Sequence, residues 1–385
     1  MASEQNQKLA VIGLSYPFRG GISHYSTLLV RELRKKYDVI FLTLKRQYPA
    51  VLFPGKTQYD YSNNTLVEEN DPIIDSINPF TWVKASLLLQ KEHVDLVVIQ
   101  WWNPFFGLAF GTIVNLLSLI SKAKVCFLCH NVMPHEASLF DRILSRYAFL
   151  RTTYFVVHSE KDRSDLLCLK PRAMVRKTFH PTYSVFGEFV MYEKEEARRK
   201  LNLAGKERVL LFFGLIRQYK GLQYLIHAMK DVLTSVECTL LIVGEFYEPK
   251  EEYMNLIKEL GLDGHIIIID EYVNNEDVPI YFCSADVAVL PYVEATQSGI
   301  VQIAYALRTP VITTDVGGLP EVVADGETGF IVPARSAESL AKAIVEYYRG
   351  GYEEGFCNEI KKRLDSFSWE NEVREIEAVM AGRWK

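Results

Sequence analysis

Short runs of β-branched and aliphatic residues alternate with longer amphipathic segments along the whole chain, and the alternation restarts once. Strand candidates fall at 8–14 (KLAVIGL), 38–44, 95–100 (DLVVIQ), 124–130 (KVCFLCH) and 154–159 in the first half, and at 208–214 (RVLLFFG), 238–244 (CTLLIVG), 265–270, 287–291 and 310–314 in the second. Continuous apolar runs of this length read as strands buried on both faces. The segments between them, such as 24–36 with Leu28, Leu29 and Leu33 at helical spacing, supply the covering helices. The pattern predicts an α/β protein of two Rossmann-like domains, each a parallel sheet. With 385 residues the chain also exceeds the roughly 250 at which single cores stop growing.

The irregular, then charged stretch 181–207 is the natural boundary. It divides the chain into a first domain at 1–188 and a second at 189–367. A closing helix at 368–385, begun by Ser368, is free to fold back onto the first domain.

Charge separates the two halves. Residues 1–180 carry 22 Lys and Arg against 15 Asp and Glu, whereas 181–385 carry 21 against 33. A basic half on an acidic chain predicts an anionic partner for the first domain, a phosphorylated acceptor or a membrane surface, and nothing in the pattern points to nucleic acid. Six cysteines in a chain this long are too sparse for a disulfide framework, and the N-terminus shows no secretory leader, so a cytoplasmic protein is expected. The uncharged stretch 101–120 (WWNPFFGLAFGTIVNLLSLI) has the length of a membrane span. Asn103 and Pro104 within it read instead as the N-cap and first position of a core-facing crossover helix, with a membrane-apposed helix as the alternative.

Open α/β sheets bind ligands at the carboxyl ends of their strands, so the residues just after each strand carry the chemistry. After 8–14, Gly20 and Gly21 open a helix whose backbone N–H groups suit a phosphate, although no G-x-G-x-x-G is present. After 208–214, Arg217 and Lys220 place two cations three residues apart, able to neutralise a departing diphosphate. After 287–291, Glu294 lies in a loop while Thr296, Gln297, Ser298 and Gly299 open a helix; the carboxylate suits sugar hydroxyls and the helix end an anion. The run Cys126-Phe-Leu-Cys129-His130 spells the haem-attachment pattern, but inside a strand the two cysteines face opposite ways, which excludes it.

Taken in order, the Gly-Gly turn, G-L-I-R-Q-Y-K-G, the VGE strand end, the loop from Glu294 and G-G-L-P-E-V-V-A-D-G-E-T-G resemble the family-4 retaining glycosyltransferases of the GT-B fold. The resemblance implies two Rossmann-like domains flanking a cleft, a nucleotide-sugar donor on the second and an acceptor mainly on the first. It implies transfer of a hexosyl unit from a UDP- or GDP-sugar, with retention and without a metal or other cofactor, to a saccharide or lipid-linked acceptor. On this reading Arg217 and Lys220 hold the diphosphate, Glu294 binds the donor sugar, and His130 stands near sugar and acceptor. Gly244, Tyr272 and Val273 frame the base. Gln302 falls where the family places a second acid against the ribose, a departure that keeps a non-catalytic nucleotide-sugar sensor and a nucleotide-sugar epimerase as rival readings. Peripheral contact with an anionic membrane on the cytoplasmic face completes the expectation.

Overall fold

A computed structural model describes residues 7–49, 53, 55–63, 66–134, 138–203, 205 and 208–384. The N-terminal residues 1–6 and part of the linker at 204, 206 and 207, on which readings were made above, lie outside the described residues.

The chain divides into two compact units, residues 1–61, 65–179 and 368–385 in the first, and 62–64 and 180–367 in the second. The division falls at 179/180 and not at 188/189. Residues 180–188 go with the second unit because the Thr182 amide donates to the Phe367 carbonyl at 2.9 Å, and the short helix Val185–Phe189 packs on the helices Val278–Ser284 and Gly299–Ala306. Within the same unit the Asn275 amide donates to Ser62 Oγ at 2.9 Å.

The first unit holds strands β1 (Lys8–Gly13), β2 (Asp38–Arg46), β3 (Asp71–Asp75), β4 (Leu96–Trp101), β5 (Lys124–Cys129), β6 (Tyr154–Val157) and β7 (Met174–Lys177). They form one parallel sheet in the order β3-β2-β1-β4-β5-β6-β7. Helix α1 (Gly21–Arg34) follows β1, α2 (Pro79–Lys91) follows β3, α3 (Gly107–Ile120) follows β4 and α4 (Leu139–Phe149) follows β5. The crossovers through α2, α3 and α4 all step towards β7, whereas the one through α1 steps towards β3; right-handed connection therefore puts α2, α3 and α4 on one face and α1 on the other. The closing helix Trp369–Met380 packs beside α1.

Local chemistry sets the helix starts. Asn78 Oδ1 accepts from the Phe80 amide at α2, Asn103 Oδ1 accepts from the Phe105 amide at the 3-10 turn leading into α3, and Ser138 with Asp141 forms a capping box on α4. The 101–120 stretch thus begins as the end of β4, and Trp101, Phe106 and Phe110 are wholly buried under the sheet. Among the described residues no helix is long and apolar enough to cross a membrane.

The second unit repeats the plan with β8 (Val209–Phe213), β9 (Thr239–Val243), β10 (Ile266–Ile269), β11 (Val287–Leu290), β12 (Val311–Thr314) and β13 (Gly329–Val332), all parallel in the order β10-β9-β8-β11-β12-β13. Its core joins Leu210, Phe212, Leu225, Ile242, Val289 and Ile344.

Candidate active site

In the second sheet the strand order reverses between β8 and β11, and open α/β sheets leave their crevice at such a point. The loops after these two strands are laced together there. The Val293 amide donates to the Tyr219 carbonyl at 2.8 Å. Gly221, in the left-handed region at φ +68°, starts the helix Leu222–Val232 directly beneath Pro291, where a Cβ would lie 2.0 Å from the Pro291 carbonyl oxygen. Only glycine offers both that φ and that approach.

Lys220 precedes Gly221 and turns inward. Its side chain is buried, its ammonium stands 5.6 Å from the Tyr292 ring centroid, and no carboxylate pairs with it among the described residues. Burial, assisted by the Arg217 charge, pulls its pKa down to about 7. Arg217 is half-buried and lies 4.8 Å over the Tyr247 ring, also without an acidic partner among the described residues. Two cations held in one loop with no protein anion between them form a receptor for an external anion.

From β11 the chain runs through half-buried Glu294 to buried Thr296, whose carbonyl accepts from the Gly318 amide, and on to half-buried Gln297. Ser298 occupies the N-cap of the helix Gly299–Ala306 without capping it; its Oγ lies 3.4 Å from the Tyr292 hydroxyl. The first-turn amides that a cap would satisfy stay available to a ligand. One turn on, Gln302 is 1% exposed, and its Oε1 accepts no hydrogen bond among the described residues. An orphaned buried acceptor costs free energy unless a donor reaches it, and a ligand hydroxyl is such a donor.

Gly244 closes β9, the neighbour of β8, so near that a Cβ on it would stand 2.1 Å from the Gly214 carbonyl oxygen. Tyr272 and Val273 lie half-buried in the loop after β10, one strand further from the switch point. The structure therefore groups Arg217, Lys220, Glu294, Ser298, Gly299 and Gln302 at one edge, with Gly244 beside them and Tyr272 and Val273 at the flank.

Gly20, Gly21 and His130 belong to the first unit. Gly20 is the N-cap of α1 at φ +105°, and Gly21 is the first helical residue. His130 follows β5 at the same carboxyl edge. The ring of Tyr25, one turn into α1, meets the His130 ring edge-on at 4.4 Å and links the two places. His130 Nε2 lies 2.5 Å from Gln100 Oε1; an amide oxygen only accepts, so Nε2 carries a proton in this contact. Beyond Tyr25, whose hydroxyl is 3.3 Å from His158 Nε2, the Glu372 carboxyl of the closing helix lies 4.0 Å from His158 Nδ1. Burial raises the Glu372 pKa to about 8, against a smaller lowering by the Tyr25 hydroxyl. His180, in the second unit, has its pKa lowered to about 4 by burial; its Nδ1 lies 2.8 Å from the Pro181 carbonyl oxygen and its ring centroid 5.4 Å from that of Tyr183.

Gln100, Tyr25, His158 and Glu372 are additions to the residues read from sequence. Gln100 had a visible signal, a lone amide at the end of the apolar run LVVIQ; Glu372 reads as one surface acid among several in a charged helix. Cys126 and Cys129 are both buried, and only Cys129 joins the core under α2, α3 and α4, as opposite sides of one strand require. The same edge of the first sheet also carries a polar cavity of about 380 Å³ lined by Arg46, Tyr48, Tyr59 and Asp75 among others.

Residues 207–349 match the family model described as Glycosyl transferases group 1. An uncharacterised glycosyltransferase of Methanocaldococcus jannaschii is 30% identical over 185 residues, 48% of this chain and 47% of that protein, so this match spans under half of the relative. N-acetyl-alpha-D-glucosaminyl L-malate synthase of Bacillus anthracis is 22% identical over 355 residues, covering 87% of this chain and 86% of its own. Among solved structures, Anabaena Alr3699/HepE in complex with UDP superposes with a TM-score of 0.75 at 15% identity, covering 98% of this chain and 100% of its own, a likeness of fold.

Proposed function

From the match of residues 207–349 to the glycosyl transferases group 1 model, we propose that this protein is a retaining glycosyltransferase that moves a hexosyl unit from a UDP- or GDP-sugar to a saccharide or lipid-linked acceptor. The observation that carries the reading is Lys220, a buried ammonium beside Arg217 with no protein carboxylate to neutralise it among the described residues. A diphosphate supplies the missing charge. The Anabaena neighbour solved with UDP has the same fold, which supports a nucleotide-sugar donor and favours UDP.

The reaction is substitution at the anomeric carbon, with positive charge growing on the sugar and negative charge on the departing diphosphate. Lys220, Arg217 and the amides near Gln297, Ser298 and Gly299 stabilise that growing charge because they point at its place before the reaction starts. The cations take the role that a metal would otherwise fill, so none is assigned. Glu294 orients the donor sugar through its hydroxyls, and Gln302 Oε1 accepts from a ribose hydroxyl. Gly244, Tyr272 and Val273 line the base. On the first unit His130 donates through Nε2 to Gln100, and the acceptor occupies the carboxyl edge beside it. No protein base is assigned, since a diphosphate oxygen on the same face accepts the acceptor's proton, which is consistent with retention.

The test is to incubate the protein with UDP- and GDP-hexoses and with saccharide and lipid-linked acceptors. Nucleoside diphosphate release and the anomeric configuration of the product are then followed. Lys220→Ala is expected to lower turnover by at least ~10²-fold, the scale for one preorganised charge contact. Wild-type turnover in folded Lys220→Ala overturns the assignment. Donor binding without turnover favours the non-catalytic reading, which Gln302 in place of an acid supports, and conversion of the donor without an acceptor favours the epimerase.

A further inference from the structure

We propose that the outer face of α2, α3 and α4 docks the first unit onto an anionic lipid bilayer. In a parallel sheet the crossover helices run antiparallel to the strands, so all three start at the carboxyl edge of the sheet, where His130 lies. α3 packs between α2 and α4, and six exposed apolar residues lie in the first two turns of the three helices, with Leu87 further along α2 and Leu119 and Ile120 at the far end of α3. Phe80 is 86% exposed and Val83 follows it on α2; Leu108 is 50% exposed on α3; Leu139, Phe140 and Ile143 are 76%, 64% and 54% exposed on α4. Large apolar side chains scattered singly on a surface need no explanation, but six of them at one end of three adjacent helices form a patch.

Charge chooses the occupant. Lys84, Arg142 and Arg146 stand exposed beside these residues, with no ion pair among the described residues. The three helices carry a single acid, Asp141, and it is consumed in the Ser138 cap. Apolar residues flanked by unpaired cations fit the boundary between acyl chains and anionic headgroups. The stretch 101–120 supplies only part of this surface: Trp101, Phe106 and Phe110 turn into the core, whereas Leu108 near the start of α3 and Leu119 and Ile120 at its end are exposed, and most of the exposed residues come from α2 and α4 on either side. The inference rests on the lipid-linked acceptor proposed above only for its use: an edge seated on the bilayer would meet an acceptor held there.

The experiment is cosedimentation of the full chain with phosphatidylglycerol–phosphatidylcholine vesicles at low salt. Binding is expected to anionic vesicles, and to fall at least about tenfold in Phe80→Ser/Phe140→Ser, since burying one such ring is worth about a decade in partitioning. Arg142→Glu/Arg146→Glu is expected to abolish the preference for anionic over pure phosphatidylcholine vesicles. No wild-type binding, or binding that both variants keep, overturns the proposal. So does a dimer, seen by sedimentation velocity without vesicles, that the Phe80→Ser/Phe140→Ser variant dissolves. Titration of wild type and both variants with UDP separates the two readings: vesicle binding by a wild-type chain that takes no nucleotide leaves the docking face standing and removes the transferase.

Discussion

Gly221 lies so close beneath Pro291 that a side chain on it would meet the Pro291 carbonyl oxygen at 2.0 Å. The contact joins the two loops of the switch point and aims Lys220, the preceding residue. Gly221→Ala imposes a left-handed conformation on an L-residue, at about 1 kcal/mol or more, and adds the overlap with backbone. Thermal unfolding is expected to shift down by roughly 2–4 °C or more, with a loss of nucleotide binding. An unchanged midpoint would show that the two loops are not braced at this position.

Lys220 has its pKa lowered to about 7 by burial and by Arg217. Above about pH 7 the free protein therefore holds this lysine largely neutral, while a bound diphosphate restores the proton. UDP binding at about pH 8.5 is expected to take up close to one proton, read by calorimetry in buffers of different ionisation enthalpy. Lys220→Met removes the uptake. Equal uptake in both proteins would assign the proton elsewhere.

Gln302 Oε1 is buried and orphaned in the ligand-free protein. Gln302→Leu deletes one acceptor and is expected to weaken UDP binding about three- to tenfold, the scale of one net hydrogen bond. Gln302→Glu gives the ribose a charge-assisted acceptor and binds the nucleotide more tightly, while its buried carboxylate lowers the Tm of the free protein. Transferase activity that appears only in Gln302→Glu would mark the wild type as a sensor.

Glu372, which faces His158 and Tyr25, has its pKa raised by burial to about 8 in the folded chain, from the ordinary carboxyl value of about 4.5. The folded state holds the proton more tightly, so this residue's contribution is complete below about pH 4.5 and is lost as pH rises through about 8. Glu372→Gln is expected to flatten the dependence, unfolding at a higher temperature than wild type at about pH 9 and with little difference at about pH 5. Parallel curves for the two proteins would remove Glu372 from the account.

Nine of the ten strands read from sequence are central, where burial on both faces leaves a continuous apolar run; the tenth, β10, is an edge strand that shows itself through four consecutive isoleucines. The three that escaped, β3 (DPIID), β7 (MVRK) and β13 (GFIV), are all edge strands, with one open side and less apolar sequence to show for it. Arg217, Lys220 and Glu294 were legible because strand ends can be located in sequence. The Tyr25, His158 and Glu372 cluster was not, since it joins residues more than a hundred positions apart. The stretch 101–120 reads as a core-facing crossover helix with a membrane-apposed helix as the alternative, and Trp101, Phe106 and Phe110 are buried; periodicity reveals a helix stripe, and only the neighbouring elements decide whether anything covers it.

The central claim is that Lys220 holds a nucleoside diphosphate, and it is tested most directly by calorimetric titration at about pH 7. Wild type and Lys220→Ala would each be titrated with UDP and GDP. One nucleotide is expected to bind wild type and to bind Lys220→Ala about ten- to a hundredfold more weakly, as loss of a charged hydrogen bond requires. Binding by neither protein, or equal binding by both, would contradict it.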